Sequence, residues 1–262
     1  MPVLFEKRDH VGLLTLSRPE ARNCWGIDFT EGLETYLAQA TEDDDIHCVV
    51  LTGDEAGGAF SSGANLKDDK THNTKSAKTF LDRVAQPRKF PSNLLSDFPK
   101  PIVGAINGYA IGVGCIVTFC CDLIVASEKS EWRLPQIALG VLPNYGGVIR
   151  LARFVGKGAA MRVGLGFPLT GEEAYRIGLA QWLVPHKEIL PRAIEIADQI
   201  AALPPLAARM VKESMNRGLD IPNLADASLV DSYRFMVLEM TEDKDEAHIA
   251  WREKRKPKFK GK

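Results

Sequence analysis

The apolar positions of this chain fall into short runs with two different periods. Residues 3–17, VLFEKRDHVGLLTLS, alternate on either side of a polar Asp9-His10 pair with Gly12 close behind, which predicts two antiparallel strands. Ile27, Leu33, Tyr36, Leu37 and Ala40 recur at helical spacing. CVVLTG (48–53) and PIVGAI (101–106) read as buried strands, AFSSGANL (59–66) as a strand end, GVGCIVTFCC (112–121) as a buried helix and DLIVAS (122–127) as another strand. Strands alternating with helices predict an α/β fold. After Leu142 helices dominate: Thr170 with Glu173 has the spacing of a capping box, and 189–203, 205–217 and 242–255 are amphipathic. A soft boundary near residue 200 separates an α/β core (1–200) from a helical region (201–262). Residues 67–79, KDDKTHNTKSAKT, form the most polar stretch of the first half, expected as a loop near a site.

Composition narrows the classes. A chain of 262 residues, 45% hydrophobic, is long enough to sustain a core without disulfides or metals. Its formal net charge of -1 gives no long-range attraction to nucleic acid or to a membrane surface. The longest apolar run, 108–126, is interrupted by Asp122 and reads as a buried helix and strand rather than a membrane span. The five cysteines form no C-x-x-C pair, as expected of reduced thiols in a cytoplasmic protein. The five histidines show no metal-ligand spacing, so no metal site is expected. The first ten residues have neither the apolar core of a signal peptide nor the look of a transit sequence. The basic stretch 252–262 reads either as a solvated terminus or as a contact for phosphates.

Two glycine-bearing turns carry candidate chemistry. FSSGANL ends a strand, and INGYAIGVGCIV runs through glycines into a helix. A helix start presents free N–H groups at the positive end of its dipole, and two such groups aimed at one point hold a developing oxyanion. Tight turns and close packing would also account for these glycines. GYAIGVG imitates a dinucleotide-binding loop, but the acidic residue a ribose needs lies about 20 residues on, whereas Asp122 follows Gly114 by only eight. No G-x-S-x-G elbow occurs.

SRPEARNCWGID, VVLTG followed by GGAFSSGANLK, KPIVGAINGYAIGVGCIVTFCCDLIVASE, LPQIALGVLPNYGGVIRLARFVG, LTGEEAYRIGLAQWLVP and REKRKPKFKGK resemble, in this order, the landmarks of the crotonase (enoyl-CoA hydratase/isomerase) superfamily. The resemblance implies a spiral of repeated ββα units, a helical C-terminal trimerisation region, and homotrimers or dimers of trimers. It implies an acyl-CoA thioester substrate, with coenzyme A as part of that substrate and no permanently bound cofactor. By position, the peptide N–H groups of Ala64 and Val113 would hold the thioester oxygen. Lys67 matches a lysine that approaches the CoA moiety, and backbone around Glu20–Arg22 and Ala59–Ser62 would line the adenine and pantetheine channel. Phe259 and Lys260 would meet CoA phosphates.

The chain departs from the family at the acids. Where hydratases of the family carry two glutamates, it has Ile116 and Gln136; where some isomerases carry an aspartate, it has Asn144. Carboxamides hydrogen-bond but do not shuttle protons. Gln136 and Asn144 are expected to face the acyl end. Three readings stay open: another residue (Tyr145, His72, Asp68 or Asp69) moves the proton; enolate stabilisation with water suffices; or the protein binds acyl-CoA and catalyses weakly. A different thioester reaction, such as decarboxylation, C–C cleavage or dehalogenation, also fits. Trp25 and Trp132 are expected in the core or the pocket wall.

Overall fold

The computed structural model describes residues 2–67, 77–78, 81 and 90–262. Strands β1 (Val3–Arg8) and β2 (Val11–Leu16) pair antiparallel about the Asp9-His10 turn. From β3 (Cys48–Gly53) onward the chain shuttles between two sheets. β3, β5 (Ile102–Ala105) and β7 (Leu123–Ala126) enter a six-stranded sheet of order β1-β2-β3-β5-β7-β10, where β10 is Trp182–Leu183. β4 (Ala59–Ser61), β6 (Tyr109–Ile111) and β8 (Glu131–Arg133) enter a four-stranded sheet, closed by β9 (Leu169–Thr170). Each turn of the winding adds one strand to each sheet, which is the ββα spiral expected from the resemblance.

The middle of the large sheet is buried on both faces, which is why β3 is apolar at successive positions. Val49 and Leu51 face one core with Leu14, Leu16 and Ile102. Val50 and Val103 face another, covered by Ile189, Ala193, Ile196 and Ala197. Those four repeat at helical spacing on the 189–201 helix. Phe29, Leu33, Leu37 and Ala40 likewise form the buried stripe of α1 (Ile27–Glu42). Thr170 caps Gly171–Arg176 by accepting from the N–H of Glu173, as its spacing predicts.

The sequence reading missed β6. Its three residues are bracketed by Gly108 and Gly112 and carry no alternation of their own; pairing with β4 and β8 makes them a strand. The helix expected at 112–121 is shorter, α3 (Val113–Thr118), α2 being Pro91–Asp97. α4 (Gly147–Gly164) and α5 (Gly171–Arg176) follow, then α6 (Ile189–Ala201), α7 (Pro205–Gly218), α8 (Leu224–Leu238) and α9 (Glu242–Glu253). α7 is tied to the core by buried Lys212, whose ammonium lies 2.8 Å from the Asp122 carboxylate and donates to the carbonyl of Lys100 at 2.9 Å. α8 buries no residue and exposes Leu224, Leu229, Tyr233, Phe235 and Met236. Among the described residues, no helix is long and apolar enough to cross a membrane.

Candidate active site

β4 and β6 are parallel neighbours, so the turns that leave them emerge side by side. The contact between those turns is close. A Cβ on Gly63 would lie 2.8 Å from the Ile111 carbonyl oxygen, and one on Gly112 would lie 3.9 Å from the Cα of Gly63. Gly112 has φ 55° and ψ -118°, a conformation that L side chains rarely adopt, and it turns the strand into α3 within a single residue. Gly114 is required for contact: a Cβ there would sit 2.6 Å from the Cβ of Ser61 and 2.8 Å from its carbonyl oxygen.

Two N–H groups are left over at this junction. Ala64 bridges Trp25 in parallel, but the bonds are made by its neighbours: Trp25 N–H donates to Gly63 O at 2.7 Å, and Asn65 N–H donates to Trp25 O at 2.8 Å. The Ala64 N–H therefore points to the other side. Val113 is the first residue of α3, where an N–H has no intrahelical acceptor. Among the described residues, no backbone hydrogen bond uses the N–H of Ala64 or of Val113.

The side chains around the junction are mostly neutral. Gln136, on the 3-10 turn Pro135–Leu139, is half-buried, and its Nε2 lies 3.5 Å from where a Cβ of Gly112 would stand. Its Oε1 is buried without a hydrogen-bond partner among the described residues. Ile116 is fully buried on α3 and packs against Gly147 at the start of α4. Asn144 is exposed, and its carbonyl accepts from the Gly147 N–H. Tyr145 adopts φ 56° and sets its ring 4.9 Å from that of Phe90, half-buried against the core. The structure thus brings Gln136 close to the Gly112 turn and sets Ile116 on α3, while Asn144 is exposed at the turn into α4. His72, Asp68 and Asp69 lie outside the described residues. Trp132 is core, its indole N–H on Thr118 Oγ1 at 2.9 Å, and Trp25 is buried against Phe29.

Of the residues expected along a CoA channel, Arg22 and Ser62 lie against each other. Ser62 N–H donates to the Arg22 carbonyl at 3.0 Å, and Ser62 Oγ donates to Ala21 O at 3.3 Å. Arg22 and Lys67 are exposed at the edge of this junction. Phe259 and Lys260 belong to a tail that folds back on its own α9: the Lys260 and Gly261 N–H groups donate to the two oxygens of buried Asp243, at 2.7 and 2.8 Å. The Lys260 ammonium stays exposed, 3.6 Å from Glu242.

Arg255 forks onto Glu246 at 2.6 and 2.8 Å, and with the Lys258 N–H it holds that carboxyl down at about 2. An unfolded glutamate titrates near about 4.3. The contribution of this anchor is therefore complete above that value and is lost as pH falls through about 2. Limited proteolysis is expected to find the tail protected down to pH approaching that value, and Glu246→Gln to expose it already at neutral pH.

Burial pushes the Cys48 thiol up to about 12 and those of Cys115 and Cys121 well above the usual range, so the thiolate is suppressed. No group of three or more metal-ligating side chains is found among the described residues.

Two sheets wound in ββα steps, with the turns of the smaller sheet meeting at one end, make this a crotonase-fold protein. The family model described as enoyl-CoA hydratase/isomerase matches residues 6–262. The mitochondrial enoyl-CoA hydratase of Pongo abelii is 34% identical over 255 residues, 97% of this chain and 85% of that protein. The short-chain-enoyl-CoA hydratase of Clostridium acetobutylicum is 32% identical over 256 residues, 97% of this chain and 95% of that protein. The crystal structure of enoyl-CoA hydratase from Bacillus anthracis superposes with a TM-score of 0.90 at 29% identity, covering 100% of both chains. That of Pseudomonas aeruginosa DspI gives 0.88 at 32% identity, covering 98% of this chain and 96% of the other. The chain belongs to the enoyl-CoA hydratase/isomerase family.

Proposed function

We propose that this chain is an acyl-CoA-processing enzyme that holds the thioester oxygen between the N–H groups of Ala64 and Val113 and so stabilises an enolate-like state. The observation that carries this reading is the junction itself: two unengaged N–H groups on adjoining turns, one of them opening a helix. Charge developing on a thioester oxygen there meets donors already in place, so no reorganisation is needed when it appears. The CoA arm runs past Arg22, Ser62 and Lys67, and Phe259 and Lys260 serve its phosphates.

The acyl end offers carboxamides and a tyrosine, Gln136, Asn144 and Tyr145, in place of the family's carboxylates. Gln136 orients a water or a substrate oxygen, and Ile116 supplies only shape. The presence of Ile116 and Gln136 favours a second reading as well: a thioester reaction such as decarboxylation, in which CO2 leaves, the electron pair of the broken C–C bond flows into the enolate without a protein base, and water then protonates the α-carbon. Residues 201–262 form the oligomerisation region, and the exposed apolar residues of α8 are covered by further copies in a trimer or a dimer of trimers.

Titration with acyl-CoA esters and the loss of enoyl-thioester absorbance of crotonyl-CoA test this together. Binding is expected, with hydration slower than that of a glutamate-bearing hydratase by about 10²-fold or more. Ordinary hydratase turnover would overturn the assignment of Ile116 and Gln136 to the acid positions. Absence of acyl-CoA binding would overturn the whole reading.

A further inference from the structure

Residues 22–25 run alongside residues 59–65, and one side chain stitches the two segments together. Asn23 is fully buried with φ 54°, a conformation that asparagine tolerates better than most residues. Its Oδ1 accepts from the Arg18 N–H at 2.9 Å, and its Nδ2 donates to Asp54 O at 2.9 Å and to Ala59 O at 2.8 Å. Both amide hydrogens are thereby used. They grip the two ends of the β3–β4 connection, immediately before the strand that leads to Ala64. Gly57, inside that connection, leaves the amide its room: a Cβ there would lie 2.6 Å from Nδ2. On either side of Asn23 the seam continues with Ser62, whose N–H donates to Arg22 O and whose Oγ donates to Ala21 O, and then with the Gly63 and Asn65 bonds to Trp25. Those last two bonds flank Ala64 and set the direction of its N–H.

We propose that Asn23 is a positioning residue for the Ala64 N–H. It never reaches the substrate; it fixes the register of the 22–25 segment against 59–65, and that register aims the N–H at the thioester oxygen. The proposal rests on the two-N–H reading given above. Buried backbone gripped at three points has little freedom to drift, and a drift of about 1 Å in a reacting geometry costs about 10²-fold in rate.

Isotope-edited infrared spectroscopy of bound crotonyl-CoA, labelled in its thioester carbonyl, reads this aim directly. CoA affinity by calorimetry and thermal melting are followed on the same samples. Asn23→Gly keeps the left-handed backbone unstrained and removes the whole amide. Gly57→Ala leaves the amide in place and pushes it with a methyl group, so one variant remains informative should the other fail to fold. The carbonyl stretch of the unaltered protein is expected to fall on binding. The folded variants are expected to lose most of that shift, a loss larger than any accompanying change in CoA affinity, which follows Arg22 and Ser62 on the same seam. A full shift in either folded variant overturns the role of Asn23. No shift in the unaltered protein overturns the two-N–H reading beneath it, and the proposal falls with it.

Discussion

Replacing both Ile116 and Gln136 by glutamate is expected to raise hydration of crotonyl-CoA, each well-placed acid or base contributing about 10²–10⁴-fold. The two positions differ in what they ask of a carboxyl. At residue 136 it would stand beside the Gly112 turn, where the Nε2 of Gln136 now lies. At residue 116 it would replace a side chain only 1% exposed, against Gly147. Burial and a neighbouring carboxylate both raise a glutamate's pKa, so one acid stays protonated near neutral pH while its neighbour ionises. Hydration uses that split, since one group activates water while the other protonates the α-carbon. The same shift has a stability cost whose sign is fixed. An unfolded glutamate titrates near about 4.3. With the folded value raised, the native state keeps a proton that the unfolded chain has released, so stability relative to the parent falls as pH rises from that value through the raised one. Urea denaturation across pH reads this loss, and enoyl absorbance reads the gain in rate. A folded double variant with no gain would refute the placement of these two positions at the acyl group.

Gly114→Ala is expected to cost about 10²–10³-fold in that gained activity, the penalty of losing one oxyanion donor. The new Cβ would meet Ser61 at 2.6 Å to Cβ and 2.8 Å to the carbonyl oxygen. Backbone on both sides blocks relief by rotamer change, so α3 must retreat from β4 and carry the Val113 N–H with it. Gly158→Ala in α4 is the matched control, because nothing lies within 4 Å of its Cβ and helical alanine is favoured over glycine. Equal activity in the two variants would show that the spacing of α3 from β4 does not matter to the chemistry.

Much of the proposed site was legible in the sequence because it is built of backbone. Glycines at 63, 112 and 114 announce turns and close approach whatever the neighbouring side chains are, and the resemblance to the family points to Ala64 and Val113 beside them. β3 and the helix at 189–201 were legible for a different reason: burial on both faces or on one stripe leaves a periodic trace. Strand β6 was not, since its three residues owe their extended form to partners on either side. Asn23 was not either. A buried asparagine in a loop carries no periodic signal, and its worth lies in oxygens of Asp54 and Ala59 far along the chain. The left-handed pair Arg22-Asn23 after SRPEA was the one local clue, as asparagine is enriched at positive φ. Asn144 was assigned to the acyl end by its place in a motif alone, with no periodic or glycine signal beside it; in the structure it is exposed at the turn into α4.

A crystal structure of the protein with a non-reactive acyl-CoA thioester would locate the thioester oxygen outright. It is expected within about 3 Å of both the Ala64 and the Val113 nitrogen, with the Gln136 carboxamide beside the acyl chain. A thioester oxygen held by any other pair of groups, or a CoA arm seated away from the Gly63–Gly112 junction, would contradict the two-N–H reading.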